Sequence, residues 1–120
     1  MPRHKPISPS TVRRLALALP EATEGKHFDI ADFRVRNKIF ASLLNDTPTV
    51  GLKSTASNVA ALVSADPVTF KDLWRGRWLG VRLDRINVGM LQELIVDAWC
   101  LAAPKRLAAS RAQSEKSSRV

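Results

Sequence analysis

A chain of 120 residues with 45% apolar and 25% charged side chains has the size and composition of one globular domain around one core. Its single cysteine, Cys100, excludes an intrachain disulfide framework, and no apolar run approaches the roughly 20 residues of a spanning helix, so the cytoplasm is the expected compartment and no membrane partner is expected. The net charge of +8 lies at the ends: residues 1–14 and 104–120 carry +4 each, whereas residues 15–103 balance ten basic against ten acidic side chains.

In chain order, residues 1–9 read as a basic extension, residues 10–107 as the domain, and residues 108–120 as a disordered basic tail. Ser8-Pro9-Ser10 offers a cap and a first-turn proline. Val12, Leu15, Ala16 and Leu19 follow as the stripe of an amphipathic helix that Pro20 stops. From Phe33 the period changes to two, with Phe33 and Val35 alternating with Arg34 and Arg36. A turn at Asn37-Lys38 leads to a second strand over 39–44, and a turn at 45–48 to a third over 50–53.

Ser57 is the expected cap of a short helix carrying Val59, Leu62 and Val63. Phe70, Leu73 and Trp74 read as a loop or short turn pinned to the core. Residues 77–83 alternate again, with Leu79, Val81 and Leu83 on one face and Trp78, Gly80 and Arg82 on the other. Asn87 caps the longest helix, with Leu91, Leu94, Ile95, Ala98, Leu101 and Ala102 as its stripe. The expected fold is α+β: an antiparallel sheet with helices on one face, in the order α-β-β-β-α-β-α.

Within the neutral body, cations gather in two segments. Arg34, Arg36, Lys38 and Lys53 face one acid, Asp46, over residues 33–53, and Arg75, Arg77, Arg82 and Arg85 face only Asp84 over residues 75–85. On a strand, Arg34, Arg36 and Lys38 would form a row at about 7 Å intervals, close to the phosphate spacing of one nucleic-acid strand. The plainer reading is a charged solvent face that discourages edge pairing. Arg75, Arg77 and Arg82 interleave with Trp74 and Trp78, an arrangement suited to gripping a backbone or stacking on bases. Trp74 and Trp99 are expected in the core, and Trp78, in phase with Arg82, at the surface.

His27-Phe28-Asp29 has no nucleophile assigned to it. Two histidines and one cysteine, far apart, offer no metal-ligand spacing. No enzymatic activity, metal or cofactor is expected.

The blocks Phe33 to Ala41, Val50-Gly51-Leu52-Lys53, Ala65-Asp66-Pro67, Trp78 to Asp84, Leu94 to Trp99 and Ala103 to Leu107 resemble, in order, those of the MmcQ/YjbR family, over roughly residues 10–108. The resemblance implies a frataxin-like (CyaY-like) α/β arrangement described as a double-wing DNA-binding fold, and carries no catalytic residues. It is consistent with DNA as partner, held through Arg34, Arg36, Lys38, Lys53, Arg75, Arg77, Trp78 and Arg82. The alternative is a non-enzymatic protein- or ligand-interaction module of unknown partner, monomeric by default. Iron binding of the frataxin type lacks its clustered carboxylates, because the first helix carries Arg13 and Arg14 and no acid before Glu21.

Overall fold

Ser8 opens helix α1 (Pro9–Leu17), its hydroxyl accepting from the Thr11 N–H while Pro9 fills the first turn. Val12, Leu15 and Ala16 form the buried stripe. The computed structural model describes residues 6–44 and 48–110; residues 45–47 of the expected turn at 45–48, the tail from 111 onward and the extension before residue 6 lie outside them. Strands β1 (Ala22–His27), β2 (Ile30–Val35), β3 (Lys38–Leu44) and β4 (Thr49–Lys53) follow, then α2 (Ala56–Ala65), β5 (Phe70–Trp74), β6 (Trp78–Arg82) and α3 (Val88–Ala102). The strands form one antiparallel sheet in the order β1-β2-β3-β4-β6-β5.

All the expected helices and strands occur in the expected order, and β1 and β5 are added at the two sheet edges. β1 reads Ala-Thr-Glu-Gly-Lys-His. An edge strand buries little, so it needs no apolar alternation. β5, expected as a loop, pairs with β6 through a register shift between Asp72 and Trp74, which breaks the two-residue period that would have revealed it.

The helices shelter one face. α3 lies across β2, β3 and β4, α1 covers β1 and β2 beside it, and α2 packs on β5. Beneath them sit Phe33, Val35, Val50, Leu52, Leu79 and Val81, all buried. On α3 the buried positions are Leu91, Ile95, Ala98, Trp99 and Ala102. Leu101, expected in that stripe, is exposed, and Trp99 takes the inward position. Its indole N–H donates to the Pro20 carbonyl at 3.1 Å, tying α3 to the connection between α1 and β1.

Asn87 caps α3 as expected, whereas Thr55, not Ser57, caps α2 by accepting from the Asn58 N–H. The second hairpin turn is Arg36-Asn37, both at positive φ (49° and 69°), one residue earlier than the expected Asn37-Lys38. Two successive positive φ values match the right-handed twist of the flanking strands. Residues 105–110 are helical, so the expected disordered tail does not begin at 108. Among the described residues no helix is long and apolar enough to cross a membrane.

Candidate functional site

The face of the sheet away from the helices carries the candidate site. Its centre is low, because small residues pair there: Ser42 lies opposite Gly51, and Gly51 opposite Gly80. Leu73 leans over both glycines. A Cβ on Gly80 would stand 3.0 Å from the Leu73 side chain, and one on Gly51 3.3 Å. The depression is a cleft of about 320 Å³, walled by Ile30, Ile39, Leu44 and Leu73, with His27 at the β1–β2 side and Trp74 and Trp78 at the β5–β6 side.

The Trp end is basic. Trp74 pairs with Trp78 across β5 and β6, and Trp78 with Lys53 across β6 and β4. Lys53 Nζ lies 5.9 Å from the Trp78 ring, and the guanidinium groups of Arg75 and Arg77 lie 6.0 and 5.6 Å from the Trp74 ring, within cation–π range. Asp72 braces the turn by accepting from the Trp74 and Gly76 N–H groups, and Arg75 and Gly76 both have positive φ. Trp74 is 50% exposed, not in the core as expected, because the register shift turns it to the open face. Trp99 is buried as expected, and Trp78 is half-buried.

The opposite end holds a buried carboxylate. Asp32 is 0% exposed. It accepts from Arg34 Nε at 2.8 Å and Nη2 at 3.0 Å, and from His27 Nδ1 at 2.7 Å. The Arg34 guanidinium holds its carboxyl below the ordinary carboxylate range; burial opposes this and the His27 hydrogen bond adds to it. An ionised carboxylate only accepts, so the proton of this pair sits on Nδ1. Gly25, opposite Asp32 in the register, permits this packing. A Cβ there would stand 2.9 Å from Asp32 Oδ1 and 3.0 Å from Arg34 Nε. Gly25→Ala is therefore expected to cost about 1 kcal/mol, measured as a lower urea midpoint at unchanged m-value.

This geometry divides the eight residues singled out in the sequence. Lys53, Arg75, Arg77 and Trp78 come together at one end of the cleft. Arg34, Arg36 and Lys38 do not form the expected row. Arg34 lies over Asp32, Arg36 sits in the turn and pairs with Glu21, and only Lys38 is exposed without an ion pair among the described residues. Arg82 pairs with Asp84. The β1–β2 hairpin brings Glu21 to Arg36, and Asp32 precedes Arg34 by two residues on the same strand, so both acids fall outside the 33–53 segment and its charge count does not register them. His27 and Asp32 were missed as a pair, because the β1–β2 turn brings them together only once β1 pairs with β2.

Among the described residues no three His, Cys, Asp or Glu side chains gather as a metal site. Asp32, the one buried carboxylate among them, is committed to Arg34 and His27. A hard cation needs several free oxygen donors, and these residues do not supply them.

A family model described as YjbR matches residues 17–101. Among solved structures, the Deinococcus radiodurans protein DR2400, which carries the DUF419 family-model domain, is similar at 24% identity and a TM-score of 0.65, covering 75% of this chain and 74% of its own. A Pseudomonas syringae protein is similar at 17% identity and a TM-score of 0.64, covering 80% of this chain and 99% of its own. At these identities the two structures speak for the fold. No curated protein matches.

Proposed function

The chain belongs to the YjbR family, and from that premise we propose that it binds nucleic acid through the sugar–phosphate backbone, gripped at the β5–β6 turn. The observation that carries this reading is the cluster of Lys53, Arg75 and Arg77 on the faces of Trp74 and Trp78. Among the described residues none of these three cations is paired with a carboxylate. Paired cations such as Arg36 and Arg82 have little left to offer a phosphate. Unpaired ones release condensed counterions when they meet the backbone, which drives association.

The sheet topology supports a second point of contact. Val35 pairs with Lys38 beside the β2–β3 turn, and Lys53 pairs with Trp78 beside the β5–β6 turn, both at the same end of the sheet. Three strand spacings separate the two turns, roughly 14 Å. Lys38 on the first turn and the Arg75–Arg77 group on the second thus form a bracket around one end of the open face. The reading assigns no catalytic step and no base-reading helix, so affinity is mainly electrostatic.

A salt series on the full chain tests it. If Arg75 and Arg77 each neutralise a phosphate, Arg75→Gln with Arg77→Gln makes the slope of log K against log salt shallower by about 1.4 for a single strand and about 1.8 for a duplex. Comparing two slopes cancels the contribution of the basic ends, which is common to both proteins. An unchanged slope would remove the turn from the binding surface.

A further inference from the structure

We infer that the cleft on the open sheet face seats an unpaired nucleobase, so that the protein prefers single-stranded nucleic acid. The inference rests on the backbone-binding reading and adds what the cleft itself recognises. Three features of the site meet only in such a ligand. First, the walls are apolar and two of them are tryptophans, Trp74 and Trp78, which offer π faces to any base. Second, the cations Lys53, Arg75 and Arg77 lie against those same two rings. A flat ring in the cleft would therefore leave its attached phosphate at the basic rim. Third, the cleft is open and about 320 Å³, at the lower end of the 300–1,000 Å³ range of small-ligand pockets. A shallow space suits a ring laid on the sheet better than an acyl chain, which needs an enclosed channel.

Two polar groups stand in the apolar lining, Ser42 and His27. The Ser42 hydroxyl can donate or accept. Asp32 fixes His27 through Nδ1, so Nε2 is the ring nitrogen with which it can meet the edge of a base. At the same end, Phe28 is 92% exposed and sits at φ 48°, an uncommon conformation for a bulky residue. Its ring lies edge-on to His27 at 6.1 Å. An exposed aromatic in a strained turn at the rim is accounted for if a neighbouring base stacks there. A base inside a duplex cannot reach the sheet without unpairing, so the duplex is confined to the rim cations.

The test fills the cleft and leaves the cations alone. Labelled single-stranded 12-mer oligothymidine and a 12-base-pair duplex are titrated by fluorescence anisotropy at 0.1 M salt, with the full chain and with Ser42→Phe. Ser42 is half-buried on the open face, and phenylalanine suits a strand. The wild type is expected to bind the single strand more tightly than the duplex. Ser42→Phe should weaken single-strand binding about tenfold and change duplex binding less than twofold. Ile39→Trp, three residues away on the same strand, should do the same, and it decides the matter if Ser42→Phe melts at a lower temperature. Equal binding of both forms by the wild type, unchanged single-strand binding in the filled variants, or equal loss for both forms would each overturn the base seat while leaving the backbone reading in place. Failure of the wild type to bind either form would overturn both.

Discussion

Asp32→Ala is expected to lower the unfolding free energy by about 2–3 kcal/mol at pH 7, the lower side of what loss of one partner from a buried ion pair costs. Asp32 is fully buried, and both its oxygens are occupied by Arg34 and His27. Removing it strands three N–H donors at the sheet surface, two of Arg34 and one of His27. Because Arg34 and His27 are themselves partly exposed, water recovers some of the loss, which places the figure below the deep-core range. In a domain of this size the melting temperature should fall by roughly 10 °C.

The same variant separates charge from packing through its pH dependence. Arg34 and His27 lower the folded-state pKa of Asp32 below its value in the unfolded chain, about 3.9. Its ionic contribution is therefore fully present above about pH 5 and is lost as pH falls below 4 through the folded-state value. The gap between wild type and Asp32→Ala should narrow as pH falls below 4. Glu21, Asp66 and Asp84, also lowered by Arg36, Thr69 and Arg82 respectively, lose stabilisation in the same window. Subtracting the variant's curve from the wild type's removes their share. A gap that persists undiminished at pH 3 would assign the effect to shape rather than charge.

Residue periodicity revealed the elements that bury apolar side chains in a regular rhythm. The stripe of α1, the alternation at Phe33 and Val35, and that of Leu79 and Val81 are each written at the period of their element. β1 and β5 were hidden for opposite reasons. β1 lies at an edge and carries no apolar alternation, so nothing in its composition separates it from a loop. β5 is interrupted by its register shift, which also carries Trp74 out of the core. The candidate site was half legible. Interleaved Trp and Arg residues announced the β5–β6 end, since they are neighbours in sequence. The cleft was not, because it is made by absence: Gly51 and Gly80 come opposite one another only once β4 and β6 pair across the intervening α2 and β5. Nor could sequence spacing show that Arg34 and Arg36 are spent on Asp32 and Glu21.

Reversing charge at the β5–β6 turn should weaken nucleic-acid binding at least tenfold near 0.1 M salt, about 1.4 kcal/mol or more. The variant is Arg75→Glu with Arg77→Glu. Both side chains are exposed and touch the Trp74 ring without an ion pair among the described residues, so folding should change by no more than about 0.5 kcal/mol. The β2–β3 hairpin is unsuited to this test. A glutamate at position 34 would stand beside buried Asp32, and the resulting loss of stability would be mistaken for a loss of binding.

The informative control is Lys105→Glu with Arg106→Glu, which alters net charge by the same amount. Those residues are exposed beyond the end of α3, away from the open-face cleft. Long-range attraction between a cationic protein and a polyanion depends on total charge and is screened over about 10 Å at 0.1 M salt. A purely nonspecific mechanism therefore predicts similar losses from the two variants. Contact at the β5–β6 turn predicts a loss of tenfold or more from the first and about threefold or less from the second, because only the first places carboxylates where phosphates must sit. Equal losses, with circular dichroism and melting unchanged in both proteins, would move the binding surface off the β5–β6 turn.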